Sequence, residues 1–225
     1  MRLLTLALIV VLSAPLARAG ELALAETAGR EVRDDRFFAT LHGRVVAAEP
    51  AGAQAELNAL MADALDAVPQ TAELRVETGA YTVRPERDDD GEVERWVAVQ
   101  ALALDGGDRA ALVDAVATLQ ELGLATRALG SRLSEERADD VRDELIRAAA
   151  AAVRARAAVA AAAFDQDVTG WRELRIDGAR PMPRAMRADA APAAAAAAPP
   201  ALSVGTTTVR VTIEATAELA AADGG

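Results

Sequence analysis

From Thr208 to Leu219 the chain alternates without a break. Val209, Val211, Ile213, Ala215, Ala217 and Leu219 interleave with Thr208, Arg210, Thr212, Glu214, Thr216 and Glu218. A period of two is that of a β-strand whose successive side chains point to opposite faces. One apolar and one polar row describe an antiparallel sheet covered on a single side. A lone strand has no stability in water, so this one must join a sheet built elsewhere. It follows a Pro/Ala tract, Arg180 to Ala201, whose composition favours an extended, poorly packed course. The partner sheet therefore belongs either to the same chain or to a neighbour.

Upstream, Arg36 to Ala48 reads as a strand, with Phe37, Ala39, Leu41 and Val45 on one face and Thr40, His42 and Arg44 on the other. Glu49-Pro50 opens a helix, since Pro is tolerated in a first turn. Leu57, Leu60, Met61, Ala64 and Val68 form its apolar stripe, and Pro69 stops it. Leu74 to Ala80 begins a second strand, Pro85 to Glu92 is a polar loop with Asp90-Gly91 as its turn, and Val93 to Leu104 is a third. After Asp105-Gly106-Gly107, Asp108 caps a helix bearing Leu112, Ala115, Val116, Leu119 and Leu122, with Gly123 placed to end it. Ala125 to Leu133 is a short strand. Ser134 then caps the longest helix, Glu135 to about Phe164. Val141, Leu145, Ala148, Ala152 and Val159 are expected along its buried side. Val168 to Ile176 returns as a strand. The fold class is α+β, with two small subdomains: strand–helix–hairpin over 20–104, and a second over 105–225 that includes the 180–201 linker and the 203–219 terminal strand.

The first residues carry an address. Arg2 precedes the apolar run Leu3 to Leu12, and Ala17-Arg18-Ala19 offers small residues at a cut site. This is the pattern of a secretory signal peptide over 1–19, cleaved near Ala19, and its apolar run is too short to span a bilayer. A periplasmic or secreted location is expected. The formal net charge is −11, becoming −13 once Arg2 and Arg18 leave. Such a surface repels phosphate backbones and anionic headgroups, which argues against nucleic acid and membrane surfaces as partners. There is no Cys, so no disulfide framework supports an exported chain, and stability must come from an apolar core or from assembly.

Reactive groups are sparse. His42 is the sole His, sits mid-strand on the polar face, and has no nucleophile motif near it. Metal sites built from several His or Cys are excluded by count. Glu86, Asp88 and Asp90 match the first, third and fifth places of a calcium loop and Gly91 the sixth, but the twelfth is Val97, inside a strand. Asp88-Asp89-Asp90-Gly91-Glu92 reads better as a solvated hairpin tip. Gly106-Gly107-Asp108 lacks the Lys and spacing of a phosphate cradle and reads as a helix start. Glu135-Glu136 and Asp139-Asp140 crowd a helix start, where acids interact favourably with the dipole. Trp96, Trp171 and Tyr81 are the aromatics a ligand surface would use. No catalytic, cofactor-binding or metal-ligating residue is assigned.

The order of elements resembles the SIMPL-domain family, exported bacterial proteins that include periplasmic immunogenic proteins and a group linked to oxidative-stress defence. The resemblance runs from Val32-Arg33-Asp34-Asp35 through Leu74-Arg75-Val76-Glu77-Thr78, Val97-Ala98-Val99-Gln100 and the Ala/Arg helix Arg147 to Ala163, to Val204-Gly205-Thr206 and the terminal strand. Two departures stand out: the family's Pro before Asp34 is absent, and its Gly-rich turn after the long helix is Asp165-Gln166-Asp167. The resemblance implies an α+β fold, an envelope location, self-assembly and no agreed catalytic set. The expectation is a non-enzymatic, homo-oligomeric interaction module without a cofactor, with other envelope proteins as further partners and a link to stress tolerance. The Ala-rich helix and the terminal strand, which could add to a sheet edge, are the expected assembly surfaces. The alternative is a periplasmic small-ligand or metal-binding protein.

Overall fold

A computed structural model describes residues 20–68, 71, 73–178, 182–183 and 202–222. The leader and most of the Pro/Ala tract lie outside this range. Strands and helices follow in the order β1 (Gly20–Arg33), β2 (Arg36–Ala47), α1 (Pro50–Ala67), β3 (Leu74–Arg87), β4 (Val93–Gly106), α2 (Arg109–Glu121), β5 (Ala125–Arg132), α3 (Glu135–Ala162), β6 (Gln166–Gly178), β7 (Met182–Pro183) and β8 (Thr206–Ala221). The α+β class stands. The described residues form two compact units, one drawn from 20–28, 144–178 and 211–222, the other from those within 29–143, 182–183 and 202–210. Residues 105–143 thus share a unit with 29–104.

In the second of these units, the antiparallel sheet runs β3-β4-β2-β5. The apolar row of β2, Phe37, Ala39 and Leu41, is buried together with Leu57, Met61 and Ala64 of α1 and Leu112, Val116 and Leu119 of α2. The helix stripes read from the sequence thus meet the strand face read from the sequence. Gly43 continues that row, and a Cβ there would press on Leu57, Leu60 and Met61 at 3.2–3.3 Å, so the strand needs a Gly where α1 crosses it. The Asp108 side chain accepts from Ala110 N at 2.7 Å and Ala111 N at 3.3 Å, and Gly123 ends α2 at φ +96°.

β3 is longer than the sequence suggests: it continues through Pro85, which faces Trp96, to Arg87. Pro is tolerated there because β3 is an edge strand, where one row of N–H groups has no ladder partner. The loop shrinks to 88–92, where Gly91 N donates to Asp88 O at 3.1 Å and Gly91 takes φ +86°.

The other unit carries β1-β8-β6, with β8 in the middle. Val209, Val211, Ile213, Ala215, Ala217 and Leu219 are all buried, as the alternation requires. The terminal strand is therefore paired within its own chain on both sides. It is not available to extend another sheet, which corrects that expectation. β1 is a strand the sequence reading missed. The pair Met182–Pro183 bonds to Thr207 and Thr208 as a two-residue strand.

Along α3 the buried residues are Ala138, Val141, Leu145, Ala149, Val153, Ala157 and Ala161. The expected Ala148, Ala152 and Val159 are exposed, Val159 by 71%. From Leu145 onward the buried positions recur every four residues, and each step overshoots the 3.6-residue turn by about 40°. The covered line therefore winds around the helix instead of staying on one stripe. Small Ala side chains allow this, since Ala161 packs directly with Ala217 and Leu219.

Candidate functional site

The deepest polar feature lies where three connections of the second unit meet. Asp34 sits in the two-residue link from β1 to β2 and is 8% exposed. Its Oδ1 accepts from Thr207 Oγ1 at 2.7 Å and its Oδ2 from Ser131 Oγ at 2.7 Å. Ser131 Oγ also accepts from Gly205 N at 2.8 Å, and Asp34 N donates to Gly205 O at 3.1 Å. Gly205 has no substitute here, because a Cβ would lie 2.8 Å from Asp34 Oδ2 and 2.9 Å from Ser131 Oγ. The neighbouring Asp35 accepts from Ser134 N and Ser134 Oγ, each at 2.7 Å, and so fixes the start of α3. A carboxylate buried this far is stable only if hydrogen-bonded, and both oxygens are. Among the described residues no buried side-chain nitrogen or oxygen lacks a partner. The cluster thus binds the β1–β2 link, the end of β5 and the entry to β8 together, with each carboxylate oxygen of Asp34 hydrogen-bonded within the chain.

A second polar group flanks the same sheet. Asp105 pairs with both Arg36 and Arg132, beside a cleft of about 100 Å³ that also takes Arg75 and Glu77. At the hairpin, Glu86 accepts from Arg95 Nε at 2.6 Å and from Arg44 Nη2 at 3.2 Å. The Arg95 hydrogen bond, aided by the charges of Arg95, Arg44 and Arg84, holds the Glu86 carboxyl below its usual range. These are solvent-facing pairs, screened by salt.

The other unit offers an apolar groove of about 210 Å³. Ile146, Ala150, Val153 and Arg154 of α3 form one wall, and Trp171, Leu174 and Ile176 of β6 with Ile213 of β8 form the other. Leu174 is 64% and Ile176 53% exposed. Two residues apart on the strand, they extend the apolar wall of the groove into solvent.

Over residues 23–217 the sequence matches the model of the SIMPL family, described as a protein of unknown function (DUF541). The chain belongs to the SIMPL family. No curated protein matches it. The matched span of this SIMPL chain includes the Asp34 cluster at both ends of its sequence range and all the residues of the β6 groove.

The residues singled out from the SIMPL sequence fall apart in space. His42 is half-buried on β2, opposite Ala101 and Ala125. Asp88 Oδ1 accepts from Asp90 N at 3.1 Å and Glu92 N at 2.9 Å, which closes the hairpin tip, while Glu86 is committed to arginines. The calcium-loop arrangement is not formed. Among the described residues no group of three or more His, Cys, Asp or Glu converges as a metal site. Asp108 is an N-cap, as its position before α2 suggests. Glu135, Glu136 and Asp140 are exposed, and Asp139 pairs with Arg142 one turn on. Trp96 packs against the core of its unit, Tyr81 is exposed on β3, and Trp171 lines the β6 groove. The Asp34 cluster escaped the sequence reading because its members are 97 and 173 residues apart. Its signal lies in the two stretches, around Asp34 and around Gly205, that carry the family resemblance. No helix among the described residues is long and apolar enough to cross a membrane.

Proposed function

We propose that this SIMPL protein is an exported, non-enzymatic envelope component that works by self-assembly and by binding other envelope proteins, in a setting of stress tolerance. The observation that carries this reading is the division of labour between side chains. The buried polar groups are consumed in tying chain segments together, whereas large aliphatic groups are left open along β6. The Arg2–Ala19 leader supports export, and an exported chain without Cys can gain from association the stability that disulfides would otherwise supply. Light scattering on the purified chain should give a mass above that of one copy at micromolar concentration. A single-copy mass throughout that range sinks the reading.

The second reading, a small-ligand binder, rests on the Trp171-lined groove, whose walls suit a compact apolar molecule. A thermal-shift screen of metals and metabolites separates the two, because ligand binding to the native state raises the melting temperature. A flat screen removes this second reading.

A further inference from the structure

We propose that the outer edge of β6 is the self-association surface, and that a second copy of this chain pairs with it antiparallel about a two-fold axis at Leu174. This rests on the assembly reading above and names its surface and partner.

Among the described residues β6 has a ladder partner on one side only, β8, so its other side presents unpaired backbone groups. Of the edge strands longer than two residues, β1, β3, β5 and β6, it is the one that exposes two large aliphatic side chains. From Glu173 to Gly178 its register against β8 is regular, from Glu173 opposite Thr216 to Gly178 opposite Val211. Period two then puts Leu174 and Ile176 on one face, with the α3 groove, and Glu173 and Arg175 on the other.

The sequence Glu173-Leu174-Arg175 is its own complement when reversed. With Leu174 on the axis it faces the partner's Leu174, Glu173 faces the partner's Arg175, and Arg175 faces the partner's Glu173. Directly opposed residues of an antiparallel pair lie about 5 Å apart, and opposite charges there are favourable. Ile176 becomes a diagonal neighbour of the partner's Leu174, so four aliphatic side chains gather over the groove. Shifting the axis to Arg175 sets two arginines face to face, and placing it between the two residues sets Leu174 against Arg175. Charge excludes both of these; an axis at Ile176 would pair Arg175 with the partner's Asp177 but set Leu174 against Gly178, so the Leu174 contact together with charge selects the register. An isologous contact of this kind closes at two copies. The present partners of Arg175 are exposed, Glu173 at 2.9 Å and Glu214 at 3.8 Å, and such pairs exchange at little cost.

Charge reversal tests the register. Glu173→Arg and Arg175→Glu, each alone, place like charges across the axis and should weaken dimerisation at least tenfold in sedimentation velocity. An equimolar mixture of the two restores complementarity and should recover the dimer, an outcome that misfolded variants cannot produce. Because the chain has no Cys, Leu174→Cys should form a disulfide-linked dimer on mild oxidation, whereas Thr82→Cys on β3 should not. If the wild-type chain is oligomeric but both reversals leave it unchanged and Leu174→Cys does not cross-link, the β6 proposal falls and assembly uses another surface. A wild-type chain that stays monomeric overturns both the proposal and the reading it rests on.

Discussion

Replacing Asp34 by Ala removes the acceptor that joins three connections of one unit. Two hydroxyl donors, Thr207 Oγ1 and Ser131 Oγ, each bond it at 2.7 Å. Hydrogen bonds to a charged acceptor are worth roughly 1.5–3 kcal/mol each. Thr207 is 1% exposed, so its hydroxyl is left unsatisfied without access to water and falls at the upper end. Ser131 retains its bond from Gly205 N and falls at the lower end. The sum is about 4.5 kcal/mol, a large share of the ~5–15 kcal/mol that stabilises a typical domain. Thr207→Val, nearly isosteric, should cost about 2 kcal/mol. The double variant should cost less than the two singles together by about 1–2 kcal/mol, because the same bond is removed twice. Urea unfolding followed by Trp96 fluorescence in a Trp171→Phe background reads the unit that holds the cluster. An Asp34→Ala loss under about 0.5 kcal/mol, or strict additivity with Thr207→Val, refutes the staple.

Gly205→Ala should destabilise by about 1–3 kcal/mol, since its Cβ has no room beside Asp34 and Ser131; the same unfolding assay reads it. Asp165→Gly should instead stabilise by about 0.5–1 kcal/mol, as Asp165 holds φ +53° at the end of α3, a conformation Gly adopts freely; Trp171 fluorescence follows that melt. Ala157→Leu should cost about 1–3 kcal/mol by overpacking a fully buried helix position. Glu86 should titrate below its usual carboxylate value, with Arg95→Gln moving the midpoint up. Its contribution to hairpin stability is then complete above the ordinary carboxylate range and lost as pH falls through the lowered folded value, which NMR titration can follow.

Much of this fold is legible in the sequence. β8 is the clearest case, because each apolar position of its alternation is buried. α2 is legible because Asp108 and Gly123 mark its ends chemically. α3 has readable ends but an unreadable face: Ala148 and Ala149 carry the same side chain, and hydrophobic contrast cannot tell the exposed one from the buried one. β1 was missed because Ala and Thr blur its alternation, and because its less exposed row includes Glu26, which pairs with Arg156 at 2.9 Å. Pro85 reads as a strand breaker unless one knows that β3 is an edge. The Asp34 cluster is a product of tertiary structure, with partners no local pattern connects. The β6 edge is half legible: Glu173-Leu174-Arg175 is visible as letters, but its exposure depends on β8 occupying the centre of the sheet.

Association is the mode of action proposed for this SIMPL chain. Sedimentation velocity on the unmodified chain, run as a dilution series through the micromolar range, tests it most directly. A dimer or larger species that dissociates on dilution is expected; a single monomer boundary at every concentration contradicts the proposed association.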